Sequence, residues 1–534
     1  MKDVLLVATL AAPLAFLAAC FVRAWRPRAL GLQFLAPAPG LAAGLLGLSG
    51  TPVSVSGLGF ALRLDPPGAL LLSFSALLWI VASAALWREK APDARFGVCW
   101  LLTMIGSLGV FVAGDLVSFY LLYALVSLPA YGLFAFSDDP EKKRAGAVYL
   151  AFALAGEAVL LAAFALLAAG APQGVGIAEV MAALPASPYR GAVLVLVVAG
   201  FGMKMGLVPF NGWMPLNYRA APIPVAAVLS GAGVKAGVIG LLRFLPLGAS
   251  MAEAGEALAI LGFVTAFYGL AVGLTQRESK SILAYSSISQ MGVIAAALGL
   301  GLAAADSGAA GDMAFYAANH LLVKAALFVT IGALAARQPL WALALAGALA
   351  LSLAGLPLTG GALAKLASKA QFDAGWPKNL ATLSSIGSAM LMTHFFTRLV
   401  SGDAAKDAAT ETPAALARLW PAVALGALLL PWLFADNPGE ALKLDALWDG
   451  LWPVATGVAL ALVWRRLSVP QIPAGDSIVL YERGFARLMA LGPAFERADA
   501  NLRQWPAAGV SLLLIVLALL AAGLEQAAEK VPFR

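Results

Sequence analysis

The chain is poor in the residues that build metal and redox centres. Its 534 residues include two cysteines and two histidines. Cys20 and Cys99 both lie inside apolar runs, so they supply neither a disulfide framework nor a metal site, and they leave the redox compartment unread. An iron–sulfur cluster needs a set of cysteines that this sequence does not have. No nucleophile–base pair and no phosphate-cradling loop is present, so no catalytic residue is expected in the chain itself and no cofactor is implied. Charged residues are scarce, at 12%. The net charge of +6 comes without a nucleic-acid motif and fits basic loops beside a lipid bilayer.

What fills the chain is apolar: 61% of residues are hydrophobic. The apolar runs are about 20 residues long, the length that crosses a bilayer as a helix, and none alternates as a barrel strand does. Only helices and closed barrels satisfy their own backbone in lipid. The sequence therefore reads as an all-α polytopic membrane protein of about 14–16 transmembrane helices, with runs from 4–22 to 507–524. LAAC at 17–20 has the pattern that precedes a lipidated cysteine, but Arg23, Arg26 and Arg28 follow at once. Positive charge there favours a first spanning helix with its N-terminus outside. Alternating the connections gathers thirteen basic residues, Arg23 to Arg337, on one side; the other holds Lys2, Arg63, Arg190 and Arg243. The basic side reads as cytoplasmic, in a cell membrane of the bacterial cytoplasmic type.

Two runs are interrupted. One carries Pro209, Gly212 and Pro215; the other carries Gly355, Pro357, Gly360 and Gly361. Such breaks free backbone groups that lipid does not satisfy, and a pair of them at matching places points to an inverted repeat with its site near the midplane. The expected organisation is N-terminal helices and a short hairpin over 1–95, a first repeat over 96–250 and a second over 251–400. C-terminal helices follow over 401–534, with an amphipathic, basic segment at 465–505 lying on the cytoplasmic surface.

Inside the spans sit Glu157, Lys204, Lys235, His320, Lys324 and Lys365. Apart from Lys365, just past the second break, each lysine is about a dozen residues from the near end of its run. At about 1.5 Å per residue that is roughly 18 Å deep, beyond the reach of snorkelling. A lysine at a helix centre costs about 2.5–3.5 kcal/mol, and this chain places four, which marks an ion or proton path facing the bundle interior. An amine withdrawn from water loses its preference for the charged form, so such a lysine can load and release a proton. His320 and Lys324, at i and i+4, share a helix face and can join a relay. The plainer reading, that these lysines only cap carbonyls at the breaks, explains one of them better than four. Titratable groups are present while the carboxylates and carbonyls that sodium wants are scarce, which favours protons over sodium.

Six stretches in order carry a resemblance over roughly residues 60–400. They are RLD at 63–65, K-x-x-x-V-P-x-x-x-W-x-P at 204–215 and A-P-x-P at 221–224 with Lys235 beyond it. LAYSSISQMG at 283–292, NHLLVKAALF at 319–328 and LAGLPLTGGALAK at 353–365 complete the set. Together they resemble the proton-translocating, antiporter-like subunits shared by respiratory complex I, energy-converting membrane-bound hydrogenases and multisubunit cation/proton antiporters. The resemblance implies a polar axis with Lys204 and Lys235 in the first half-channel and its connection. It implies His320 and Lys324 as the central relay and Lys365 on the exit side. It also implies other membrane subunits as partners, so that any oxidoreductase chemistry belongs to them.

The sequence departs from the family pattern at its entrance. The glutamate expected beside the first lysine is replaced by Ala124, after Tyr123, which leaves Glu157 as the carboxylate available to stand in. Asn211 replaces a histidine, and Leu216, Asn217 and Tyr218 replace an acidic-Ala-His run. GFGMKMGLVP and LSGAGVKAGVIGLLR look closer to the hydrogenase and antiporter branches than to complex I proper. Two other readings stand beside proton translocation: a degenerate, non-conducting structural subunit, and an energising membrane subunit for inorganic-carbon uptake.

Overall fold

The computed structural model describes residues 2–490 and Pro493, apart from connections at 49–51, 58–59, 88–92, 135–138, 172–175, 335–338, 374, 402–411 and 468. The apolar run at 507–524, the remainder of 465–505 and the basic residues Arg88, Lys90 and Arg337 lie outside the described residues. Helices α1 (Lys2–Phe21), α2 (Arg26–Leu32) and α3 (Ala38–Gly47) lead into an antiparallel hairpin of β1 (Val53–Gly57) and β2 (Phe60–Leu64). Then come α4 (Pro66–Trp87), α5 (Ala94–Gly109), α6 (Leu116–Ser127), α7 (Pro140–Gly170) and the short α8 (Ile177–Ala183). A broken crossing follows, α9 (Arg190–Met205) and α10 (Trp213–Ala220). The next is α11 (Ile223–Val228), a π-helical turn at Leu229–Gly233, and α12 (Lys235–Phe244).

Three unbroken helices, α13 (Ala252–Gly273), α14 (Ser279–Ala304) and α15 (Ala309–Ala333), precede the second broken crossing, α16 (Leu340–Ser352) with α17 (Gly360–Ala367). Helices α18 (Gly375–Ser401), α19 (Ala414–Leu429) and α20 (Leu444–Trp464) complete this unit, which ends at Gly475. Residues 476–534 form a separate unit whose described helix is α21 (Asp476–Ala490). The described start of the segment at 465–505, before α21, is turn and irregular chain. Gln276 Nε2 donates to Ile472 O at 2.8 Å, and Gly475 N donates to the Tyr285 hydroxyl at 3.2 Å.

Among the described residues, eleven helices are long and apolar enough to cross a membrane, and shorter apolar helices such as α5 and α16 add to them. The chain is an all-α polytopic membrane protein. Counted from α5 and again from α13, the broken crossing is the fourth of five. Because five is odd, the second set enters from the opposite face, as an inverted repeat does.

Burial separates inner from outer helices. The apolar windows of Ile223–Phe244 and α15 are 100% and 94% buried, against 22% for α1, so polar side chains on the former face protein. In lipid, helices are held by close packing of small residues. Gly255, Gly262 and Gly269 on α13 recur every seven residues toward Gly292 and Gly299 on α14, and a Cβ on Gly262 would run into the backbone of Gly292 and Ala296.

The face opposite the basic loops is tied by one arginine. Arg243, at the end of α12, donates to both carboxylate oxygens of Asp65, at 3.1 and 3.2 Å, and to the carbonyls of Val110, Phe111 and Ala113. Asp115 caps α6 by accepting from Ser118 N and the Ser118 hydroxyl, and it accepts from Ala61 N of the hairpin. The RLD stretch is thus an anchor that fastens the hairpin, the α5–α6 turn and α12. Arg243→Ala strands a carboxylate and three carbonyls, and its expected cost is about 3–5 kcal/mol. The check is the denaturant midpoint of the purified complex; an unchanged midpoint would mean that water serves these groups equally well.

Candidate functional site

Helix α9 ends one residue after Lys204, and the chain runs through 206–212 before α10 begins. Pro209 lies in this break. Pro215 does not: it stands in the first turn of α10, where a missing N–H costs nothing because the first amides have no helical partner. Freed backbone groups find side chains, with Val208 N donating to Thr265 Oγ1 at 3.1 Å and Trp213 Nε1 to Met203 O at 2.8 Å.

Lys204 is 7% exposed. Its Nζ donates to Ser127 Oγ at 3.0 Å and to the Tyr149 hydroxyl at 3.2 Å, and it sits 5.4 and 6.0 Å from the ring centres of Tyr149 and Tyr123. Glu157, buried on α7, interacts electrostatically with Lys204 and lies near Ser127. Ser127 thus neighbours both the amine and the carboxylate. A cavity of about 10 Å³ lined by Ser127, Tyr149 and Lys204 has the room of one water. The substituted entrance residues Asn211, Asn217 and Tyr218 are all buried, with side-chain polar atoms unpartnered among the described residues.

The second lysine lies close by because of a glycine. A Cβ at Gly237 would come 2.9 Å from Phe201 O and 3.2 Å from Lys204 Cβ, so its absence lets α12 approach α9 at backbone distance. Lys235 follows the π-helical turn, a distortion common at functional sites. Its Nζ is 2.6 Å from His320 Nδ1 and 3.4 Å from Ser230 O. A contact this short holds one hydrogen between the two nitrogens. When Nδ1 accepts from the amine, the ring hydrogen is on Nε2, a buried atom with no partner among the described residues. Lys324 follows His320 by one turn and donates to Leu283 O at 2.7 Å. Lys235, His320 and Lys324 are at most 1% exposed.

Lys365 stands apart from this group. The second break runs over 353–359 and includes Pro357; Gly360 opens α17, and Gly361 N donates to Ser352 Oγ at 3.2 Å. Lys365 is half-buried on a cavity of about 260 Å³ that it shares with Gln290, Tyr316, Ser388 and Asp449. Lys369 is exposed, 3.9 Å from Asp449. Alternation of the crossings puts this cavity on the face opposite the basic loops. On the basic face, a cavity of about 810 Å³ is lined by Glu141, Arg219, Glu278 and Lys280. Arg219 lies 2.9 Å from Glu278 and 3.7 Å from Glu141. Burial raises the Glu278 carboxyl above the usual carboxylate range, opposed by Arg219 and Lys280.

The residues singled out from sequence thus fall into three places: Glu157 with Lys204, Lys235 with His320 and Lys324, and Lys365 alone. Ser127, Tyr149, Ser230, Gln290 and Tyr316 were not among them. Serine and tyrosine are ordinary in spanning helices, and only Tyr316, four residues before His320, carried a usable signal.

The family model described as NADH:quinone oxidoreductase/Mrp antiporter, TM, matches residues 113–393, just over half of the chain and all of these side chains. NADH-quinone oxidoreductase subunit N of Deinococcus radiodurans is 34% identical over 366 residues, which are 64% of this chain and 74% of that protein. The chain belongs to this family. It is an antiporter-like, multi-pass membrane subunit. The fold is like that in the Mrp complex of Dietzia sp. DQ12-45-1b, with a TM-score of 0.74 at 22% identity over 98% of this chain and 63% of that one. It is also like a chain of an archaeal membrane-bound sulfane sulfur reductase, with a TM-score of 0.66 at 20% identity over 87% of this chain and 99% of that one. The antiporter-like subunit thus spans under two thirds of the Mrp chain that it matches.

Proposed function

We propose that this subunit translocates protons across a bacterial cytoplasmic membrane, with its basic face inward and other membrane subunits of the complex supplying the coupling. The observation that carries this reading is the 2.6 Å contact between Lys235 and His320 in the buried centre of the bundle. A shared hydrogen between an amine and an imidazole is a proton caught between two sites. Lys235 and Lys324 both act electrostatically on His320. In a medium of low dielectric, loading one of the three repels the next proton onward, which converts a charge step at one end of the row into movement at the other.

Lys204 feeds this row from the side. Ser127 couples it to Glu157, whose carboxylate holds a proton on the lysine, and a change in that attraction releases the proton toward Lys235. The central groups are amines and an imidazole, which repel sodium and bind protons. Redox chemistry, where the complex performs it, falls to the partner subunits.

The test is flux into vesicles carrying the reconstituted complex under an imposed potassium diffusion potential. Proton movement is expected to persist at an unchanged rate in sodium-free buffer. Strict dependence on sodium would overturn the proton reading.

A further inference from the structure

The relay just described leaves His320 Nε2 facing no partner among the described residues, although the atom is fully buried. One turn toward the opposite face, four residues earlier on α15, stands Tyr316. The step along the helix axis is about 6 Å, and the two side chains share a face. The Tyr316 hydroxyl donates to Gln290 Oε1 at 2.6 Å, and Gln290 Nε2 donates to Ser388 Oγ at 3.1 Å. This chain ties α15 to α14 and α18. It commits the tyrosine hydrogen to Gln290 and leaves the phenolic oxygen free to accept.

Tyr316 and Gln290 also line the cavity of about 260 Å³, whose other walls include Lys365, Lys369, Ser385 and Asp449. That volume holds several waters, and its lining offers each of them polar partners. The cavity therefore reaches from the exposed Lys369–Asp449 pair inward to the residue next to His320.

We propose that Tyr316, held by Gln290 and Ser388, is the positioning residue of the outward exit, fixing the water that takes the proton from His320 and passes it to Lys365. The inference rests on the proton-translocation reading above. The step balances: Lys235 gives a proton to Nδ1 while Nε2 releases its own to the water. The ring ends neutral with its hydrogen moved to the other nitrogen, and the hydronium passes its proton to the Lys365 amine. No oxidant or reductant is needed. Tyr316 does not titrate in this scheme; its oxygen accepts from the water and keeps it within reach of the ring.

The experiment uses the intact complex in vesicles, with outward proton flux read under an imposed potential. Tyr316→Phe keeps the ring and its packing, and flux is expected to fall about a hundredfold while the complex still co-purifies. In a background carrying Cys20→Ala and Cys99→Ala, Ser385→Cys is expected to react with a membrane-impermeant thiol reagent from the outer side only. This arm stands whether or not Tyr316→Phe assembles. Wild-type flux in Tyr316→Phe, or no outer labelling of Ser385→Cys, overturns the exit. His320→Ala separates the two levels. If it loses flux while Tyr316→Phe keeps it, only the exit inference fails; if His320→Ala keeps flux, the proton-relay reading fails with it.

Discussion

Lys324→Ala in the intact complex is expected to cut proton flux by about a hundredfold or more while assembly persists, and Lys204→Ala to do the same. Assembly should survive because the hydrogen-bond acceptors keep other partners, and the Glu157 carboxylate left without the amine can be neutralised by taking up a proton. Leu283 O, which accepts from Lys324, also accepts from the Ser287 hydroxyl at 3.1 Å. Ser127, which accepts from Lys204, donates its own hydrogen to Tyr123 O at 3.3 Å. A buried lysine also carries a desolvation cost that alanine does not, which offsets part of the lost packing. Flux in vesicles, normalised to the complex recovered, is the measurement. Lys324→Arg sharpens it: the guanidinium keeps the charge but does not give up its proton, so this variant should also fail. Unchanged flux in both alanine variants would end the channel reading, and normal flux in the arginine variant would show that charge suffices without proton exchange.

Much of the fold was legible because lipid leaves so few options. A run of about 20 apolar residues has to be a helix, and clustered prolines and glycines mark the two that are broken, whereas the single prolines Pro13, Pro421 and Pro453 stay inside unbroken helices. The crossings and both interruptions were therefore readable from spacing. The end of the first break was not. Proline can break a helix interior but is welcome in a first turn, and the sequence does not say which of the two Pro215 occupies. Among site residues, lysines stood out against their apolar surroundings. Their pairing did not, since Lys235 and His320 are 85 residues apart and meet only through the packing of α12 against α15. Ser127 and Tyr149 were hidden for a simpler reason: an uncharged hydroxyl in a spanning helix carries no insertion cost large enough to demand an explanation.

The same geometry recasts the alanine at position 124. The family pattern places a glutamate there, and its absence leaves Lys204 looking unpartnered. Helix α6 instead presents Ser127, one turn further on, and α7 brings Glu157 near that hydroxyl. If the carboxylate has moved from one helix to the next, Glu157→Gln should lower flux about 10- to 100-fold, or about 1.4–2.7 kcal/mol in barrier. Glutamine keeps the shape, so the complex should form normally and the loss should be electrostatic. The deciding variant is Glu157→Gln combined with Ala124→Glu. Restoring a carboxylate at the family position is expected to recover most of the lost flux, because Lys204 needs a negative charge nearby and not a particular helix to carry it. Wild-type flux in Glu157→Gln alone would mean that Lys204 works through Ser127 and Tyr149 without any carboxylate. Failure of the double variant to recover, with Glu157→Gln impaired, would mean that the position on α7 matters and not the charge alone.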